Sequence, residues 1–404
     1  MPSSLDPRGI DAIRALLAKG VSMPNPLTVD IAPDVDVDRI SGDGVVIHPG
    51  CRIRGSRTVV SAGSVLGAES PVTIDNCRLG PRVELKGGYA ANAVFLAGSS
   101  MGLGHHVREG TLLEEEASGA HCVGLKQTIL FPFVTLGSLI NFCDCLMAGG
   151  TSRTVHSEVG SSYIHFNFTP TGDKTTPSLF GDVARGVMLR EQPIFLGGQG
   201  GAVGPVTVAY GTVVGAGSIV RSDVHAEGQL VIVGPPPSMQ QEFDGGDYRS
   251  ANRLVAKNVT YLANLDALEQ WYRHVRQPFF ATQELGPLVY EGALDVLAAA
   301  RTERITRLRK LATKLPGANA AQQALTASMD EVCAGFGQAS TPPDPALVAV
   351  MTHAAADGTA YLDAIRALSP DLVSAGTGWL RDIVAAQWDR VAAIVPAIAR
   401  MRPL

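Results

Sequence analysis

The feature that most limits how this chain can fold is a spacing of six. In VVIHPGCRIRGSRTVVSAGSVLG, Ile47, Ile53, Val59 and Val65 stand six residues apart, and in GAVGPVTVAYGTVVGAGSIV the series Ala202, Val208, Val214 and Val220 repeats it. Leu79 and Leu85 supply another copy. A period of six matches neither the helical period of about 3.6 nor the strand period of about 2, but it does match short strands joined by tight turns that wind into a solenoid. About three hexapeptides close one triangular coil, with an aliphatic side chain pointing inward from each side and a small residue permitting each turn. Successive coils then stack through parallel backbone hydrogen bonds roughly 4.8 Å apart. The expected fold is a left-handed parallel β-helix of hexapeptide repeats, and the 44 glycines and 25 prolines of this 404-residue chain suit its turns.

The β-helix is expected over residues 42–239 with inserted loops, because the rhythm blurs over about 86–155 and again over 167–194. Prolines in VHAEGQLVIVGPPPS mark the closing coil. Past residue 240 the apolar residues recur at helical spacing, as in Leu254, Tyr261, Leu265, Leu268, Tyr272 and Val275, which predicts a C-terminal α-helical domain of four or five helices over 240–404. Residues 1–41 read as an N-terminal helix and lead-in, with Asp6 as N-cap and Pro7 in the first turn. A net charge of −5 with 18% charged residues argues against a nucleic-acid or anionic-membrane surface. The first residues lack an apolar signal core and no run reaches the length of a membrane span, so a cytoplasmic protein is expected. Six cysteines without a CxxC pair suit reduced thiols better than disulfides or structural zinc.

One polar segment, HSEVGSSYIHFNFTPTGDK (156–174), concentrates reactive groups. Strand alternation places Tyr163, His165 and Asn167 on one face, and Glu158 on the same face as His156, where it can fix an imidazole tautomer. His156 and His165 are the candidate general bases. Lys126, Arg153, Lys174 and Arg185 lie in or beside interruptions of the repeat and suit a phosphorylated or carboxylated substrate. The run Gly197-Gly198-Gln199-Gly200-Gly201 can present backbone N–H groups to a carbonyl or a pyrophosphate, although such runs also serve simply as turns. Glu114-Glu115-Glu116 reads as a solvated face, or as a binding site for a cation or amino-sugar. His105, His106, His121, His156 and His165 offer enough imidazoles for zinc, but their spacing matches no ligand pattern and no metal site is assigned. Tyr261, Trp271 and Tyr272, at helical spacing, read as core, and RTERITRLRK as the wet face of an amphipathic helix.

SEVGSSYIHFNFTPTGDKTTPSLFGDV, followed by PVTVAYGTVVGAGSIV, resembles the acetyltransferase domain of the bifunctional N-acetylglucosamine-1-phosphate uridyltransferases, over roughly residues 110 to 235. The motifs that carry the resemblance are Asn167-Phe168, Lys174, Gly181-Asp182-Val183 and the coil from Pro205 to Val220. It implies a homotrimer with its groove between subunits, and transfer of an acetyl or related acyl group from acyl-CoA to a sugar phosphate or nucleotide-linked sugar. Asn167, Lys174, Gly198 and Gln199 would lie near the acyl donor, and Lys126, Arg153, Tyr163 and Arg185 near the acceptor. The nucleotide-binding glycine loop of that family is missing from the N-terminal residues, and the C-terminal helices have no equivalent in it. The family's catalytic histidine follows its substrate-binding lysine by about a dozen residues. Taking Lys126 as that lysine, its counterpart falls near Asn141 or Phe142, neither of them a base. Two other readings stay open: a non-catalytic trimeric sugar-nucleotide scaffold or sensor, and a metal-dependent lyase or hydrolase at the trimer interface.

Overall fold

The computed structural model describes residues 7–165, 176–240, 242, 251–315, 317, 320–338 and 341–402. Short strands, most of two to four residues, stack in register to form a left-handed β-helix. One side of the prism is a column of ten strands from Val46–Ile47 to Leu230–Val231. The other two sides merge into a single sheet of sixteen strands, because Val123–Leu130 and Ile140–Met147 run unbroken around the corner between them. They turn it at Gln127 and Asp144, whose φ values of 51° and 54° are left-handed. The inner rows are apolar throughout: Ile53, Ile74, Val107, Leu125 and Phe142 on one side, and Leu79, Phe95, Leu113, Leu130 and Met147 on another, all within 1% of full burial.

The period of six holds for Ala202, Val208, Val214 and Val220, but it slips by one residue near the start. Val60 and Leu66 fill the interior, whereas Val59 pairs with Arg78 and Val65 with Glu84 on the outer rows. Nor do residues 86–155 leave the solenoid as loops; strands continue through them to Met147. What blurs the pattern is a second apolar row on the outside. Val94, Leu112, Ile129, Leu146 and Leu179 point outward from the third side of the prism, and all are at least 97% buried because helices cover them. A strand buried on both faces reads as a continuous apolar run rather than as an alternation. Among the described residues, the departures from the coil within 86–194 are an antiparallel hairpin, Gly150–Ser152 against Val155–His156, and the segment after residue 180.

The N-terminal helix α1 (Ile10–Lys19) begins later than the Asp6 cap predicts. Gly9 caps it instead, at φ 78°, where an added Cβ would meet the Ile31 carbonyl oxygen at 2.4 Å. Helix α2 (Val183–Gly186) is a single turn in the solenoid. Beyond residue 250 the described residues form seven helices: α3 (Ala251–Trp271), α4 (Gln277–Ala281), α5 (Gly286–Lys314), α6 (Ala320–Ala334), α7 (Pro345–Ala356), α8 (Tyr361–Ala367) and α9 (Pro370–Ile394). Of these, α3 and α5 lie on the third side of the prism.

Polar groups lock this seam. Contrary to the solvated-face reading, Glu114 and Glu115 are buried and receive Arg276, whose Nη1 lies 3.0 Å from Glu114 and whose Nη2 bonds Glu115. A π-helical turn, Tyr272–Arg276, aims both residues at the pair: the Tyr272 hydroxyl donates to Glu114 at 2.5 Å. The guanidinium of Arg276 sits over the rings of Tyr361 at 4.0 Å and Tyr272 at 4.7 Å. Arg304 likewise leaves the wet face assigned to it and pairs with Asp144 of the solenoid at 2.5 Å, while Arg78 meets Asp295 at 2.9 Å and Lys257 meets Asp223 at 2.8 Å. Tyr261, Trp271 and Tyr272 are core residues, as their spacing predicts.

Candidate functional site

With the third side covered, the sixteen-stranded sheet leaves one side open. Its outward row runs Thr73, Tyr89, His106, Gly124, Asn141, Tyr163 and Gly201, each the ladder neighbour of the next. Tyr89 meets His106 edge to face at 5.2 Å, and Tyr163 is 60% exposed. Gly124 has no side chain, so it leaves a notch between His106 and Asn141. A Cβ there would have no neighbour closer than 3.5 Å, the Asn141 Oδ1. The next outward row carries Lys126 and Cys143, also ladder partners. Lys126 Nζ lies 2.9 Å from Glu109; partial burial raises the carboxyl, but this bond outweighs it and holds Glu109 below its ordinary value. Burial, with the charge of Asp144, pushes the Cys143 thiol up to about 11, so it stays protonated.

The corner beside this face carries a pair that the sequence reading missed. His121 Nδ1 lies 2.7 Å from Ser138 Oγ, one coil further on. The two are stacked by the coil itself: Cys122 donates its N–H to Leu103, and Leu139 donates its N–H to His121. His121 is exposed, and so are Leu103 (41%) and Leu139 (56%) on either side of the pair. Ser138 is also a dozen residues past Lys126, so the interval that led to Asn141 or Phe142 ends on Ser138 when counted out. The only signal available in the sequence was that His121 and Ser138 are separated by one coil's length of chain.

The predicted residues are scattered around this face rather than gathered on it. Asn141 and Tyr163 are neighbours on the open row, with Lys126 beside them. His165 does not follow Tyr163 outward: its φ of 62° breaks the alternation and turns the ring in, where Nε2 lies 2.7 Å from Ser178 Oγ. That hydroxyl also accepts the Val206 N–H at 2.9 Å, and a Cβ on Gly204 would collide with the imidazole at 2.3 Å. Burial, reinforced by the positive charge of Arg304, pushes the imidazole down to about 3, so His165 is neutral and too weak a base for its expected role. His156 sits half-buried in the hairpin with Nδ1 3.2 Å from the Ser157 carbonyl oxygen, and Glu158 belongs to the ten-stranded column. Arg153, at the hairpin tip, spends its guanidinium on the Glu116 carbonyl and Thr135 Oγ1.

Arg185 lies on the helix-covered side. It pairs with Asp182 at 2.9 Å and with Glu191 and Glu227, over the ring of Tyr210, and lines a cavity of about 570 Å³ against α9. Gly198 and Gln199 form a coil corner whose donors are largely used: the N–H groups of Gly197, Gln199 and Gly201 go to Val214, Ser161 and Ser218. A Cβ on Gly197 would strike the Ala216 nitrogen at 2.5 Å, so the glycines there serve close stacking of coils. Asn167 and Lys174 fall outside the described residues. Among the described residues, no group of three or more His, Cys, Asp or Glu side chains converges as a metal site would require. Nor is any described helix long and apolar enough to cross a membrane.

No protein-family model matches the chain. Curated relatives do. A "Bifunctional protein GlmU" of Pelobacter propionicus is 29% identical over 224 residues, 55% of this chain and 43% of that protein. Its namesake in Kineococcus radiotolerans is 27% identical over 228 residues, covering 56% and 41%, and that of Thermotoga petrophila 28% over 213 residues, covering 52% and 42%. The chain therefore spans less than half the length of the relatives it matches. In sequence and in fold, the solenoid resembles the hexapeptide-repeat left-handed β-helix acyltransferases, and within them the GlmU acetyltransferase domain.

Proposed function

We propose that the chain is a CoA-dependent acyltransferase that moves an acetyl or related acyl group onto a sugar phosphate or a nucleotide-linked sugar. The observation that carries this reading is the open row centred on the Gly124 notch, set in a solenoid that matches GlmU proteins along more than half of the chain. Acyl transfer from a thioester requires a base, donors for a tetrahedral oxyanion and a groove for the pantetheine arm. His121 is the exposed imidazole at the edge of that face, and replaces His165 and His156 as the base. Asn141 supplies an amide beside the notch, Tyr163 an exposed phenol, and Lys126 a cation held in place by Glu109 until an anionic substrate competes for it. Asn167 and Lys174 follow Tyr163 closely in the chain and keep their assignment to the acyl donor on the strength of the resemblance. The active unit is a homotrimer in which a neighbouring copy completes the groove, working in the cytoplasm where CoA thioesters are formed.

A second reading has one observation in its favour: the position a dozen residues past Lys126 is Ser138 rather than a histidine, which suits a solenoid that binds a sugar nucleotide without chemistry. Melting temperature with acetyl-CoA or UDP-N-acetylglucosamine, together with CoA release in the presence of amino-sugar phosphates, separates the two. Stabilisation by acetyl-CoA with acceptor-dependent CoA release is expected. Stabilisation by the sugar nucleotide alone, with no CoA release from any acceptor, replaces the transferase with the binding scaffold.

A further inference from the structure

The Ser138–His121 pair does more than put a base beside the groove. We infer that Ser138 is a nucleophile: it takes the acyl group from a thioester onto its own Oγ before passing it to the acceptor. This rests on the acyl-transfer reading and adds to it a covalent acyl-enzyme.

The argument is geometric. A hydroxyl becomes a competent nucleophile when a base within about 2.6–3.2 Å can take its proton as it attacks. His121 Nδ1 stands 2.7 Å from Ser138 Oγ, inside that range. The two are brought together by coil stacking rather than by two flexible side chains meeting by chance, since Leu139, next to Ser138, bonds through its N–H to the His121 carbonyl. No carboxylate is paired with His121 among the described residues, so the imidazole's hydrogen-bonding partner is the serine. The surroundings suit a thioester with an apolar arm. Leu103 and Leu139 are exposed one coil below and beside the pair, and the Gly124 notch opens on the adjoining face three residues past His121.

The step balances without any redox partner. Ser138 Oγ attacks the thioester carbonyl carbon, and the new C–O bond forms as its proton passes to His121 Nδ1. The C–S bond then breaks, and the departing thiolate takes that proton and leaves as the free thiol. An amine or hydroxyl of the acceptor next attacks the seryl ester; His121 takes the acceptor's proton and returns it to Ser138 Oγ as the C–O bond breaks. Removal of a positioned base from such a step slows it about 10²- to 10⁴-fold.

The test is to mix the full chain with acetyl-CoA without an acceptor, quench in acid, weigh the intact protein and map its peptides, while following thiol release. The expected result is one acetyl group per chain, on Ser138, with a burst of CoA equal to the protein. His121→Asn should slow that burst at least about a hundredfold. Ser138→Ala should abolish it and leave the melting temperature unchanged, since the hydroxyl's contact with His121 lies at the surface. Cys122→Ala, which removes the exposed thiol beside His121, should leave both adduct and burst intact. If the wild type transfers acetyl groups to acceptors while carrying no adduct, or if the acetyl group sits on Cys122, the covalent intermediate is overturned and the transferase stands. If the wild type releases no CoA with or without acceptors, both fall.

Discussion

Gly124 is the residue on which the open face depends, and it can be filled without disturbing the fold. Its Cβ position is clear to 3.5 Å, and valine favours strands, so Gly124→Val should fold and melt like the parent. The notch between His106 and Asn141 would be closed. Displacing a bound substrate by about 1 Å can cost a hundredfold in rate, and a loss of that order is expected in CoA release, with unchanged circular dichroism as the control. Glu114 makes a second residue-scale prediction. Burial foremost, then repulsion from Glu115, raises its carboxyl to about 7 against the pull of Arg276. A carboxyl whose folded pKa lies above the ordinary 4.5 binds protons more tightly when folded, so its contribution to stability is present below about pH 4.5 and is lost as pH rises through about 7. The melting temperature should therefore fall between pH 5 and 8 through this group, and Glu114→Gln should flatten that slope; an unchanged slope would show that Glu114 is not the carboxyl responsible. Strand alternation puts His165 on the same face as Tyr163, and the structure turns it inward instead. Alternation is a rule for extended backbone, and one left-handed residue reverses the side on which a ring lands.

Among the elements, the π turn from Tyr272 to Arg276 does most to join the two parts of the molecule. Tyr272 and Arg276, four residues apart and so on one side of the turn, face the same glutamate pair, which lies at the third side of the prism. Arg276→Met would keep an apolar stem in the turn but leave Glu114 and Glu115 without their buried cation. Breaking a buried ion pair by removing one side costs about 3–5 kcal/mol, so the helices should become sensitive to protease at a temperature where the solenoid still resists. An Arg276→Met variant whose helices stay protected would show that the seam does not depend on this turn. Elements also explain why the repeat was legible at both ends and blurred between them. Where the outer row faces water, polar residues set off the apolar sixth position. Under α3 and α5, Val94, Leu112, Ile129 and Leu146 are apolar as well, and the contrast on which periodicity relies disappears.

At the scale of the whole molecule, the helices cover one side of the prism and leave two. The last three coils of the ten-stranded side expose a ladder of Phe195, Val213 and Leu230, with Ile232 beyond it at 74% exposure. An apolar stripe of this kind on a solenoid side suits contact with another copy, which the trimer reading requires. Val213→Asp with Leu230→Asp should lower the mass measured by light scattering from three chains towards one. A parent already of one-chain mass would remove the shared groove from the proposal.

The sequence by itself determined the solenoid and the helices after it, because a core filled by every sixth residue and a helical face filled by every third or fourth leave marks within a short window. Only the tertiary structure decided which outward rows are dry, that the acidic run is sealed beneath an arginine, and that His121 meets Ser138. Each of these depends on residues brought together from one coil away or from more than a hundred positions along the chain, and no local pattern records such a meeting.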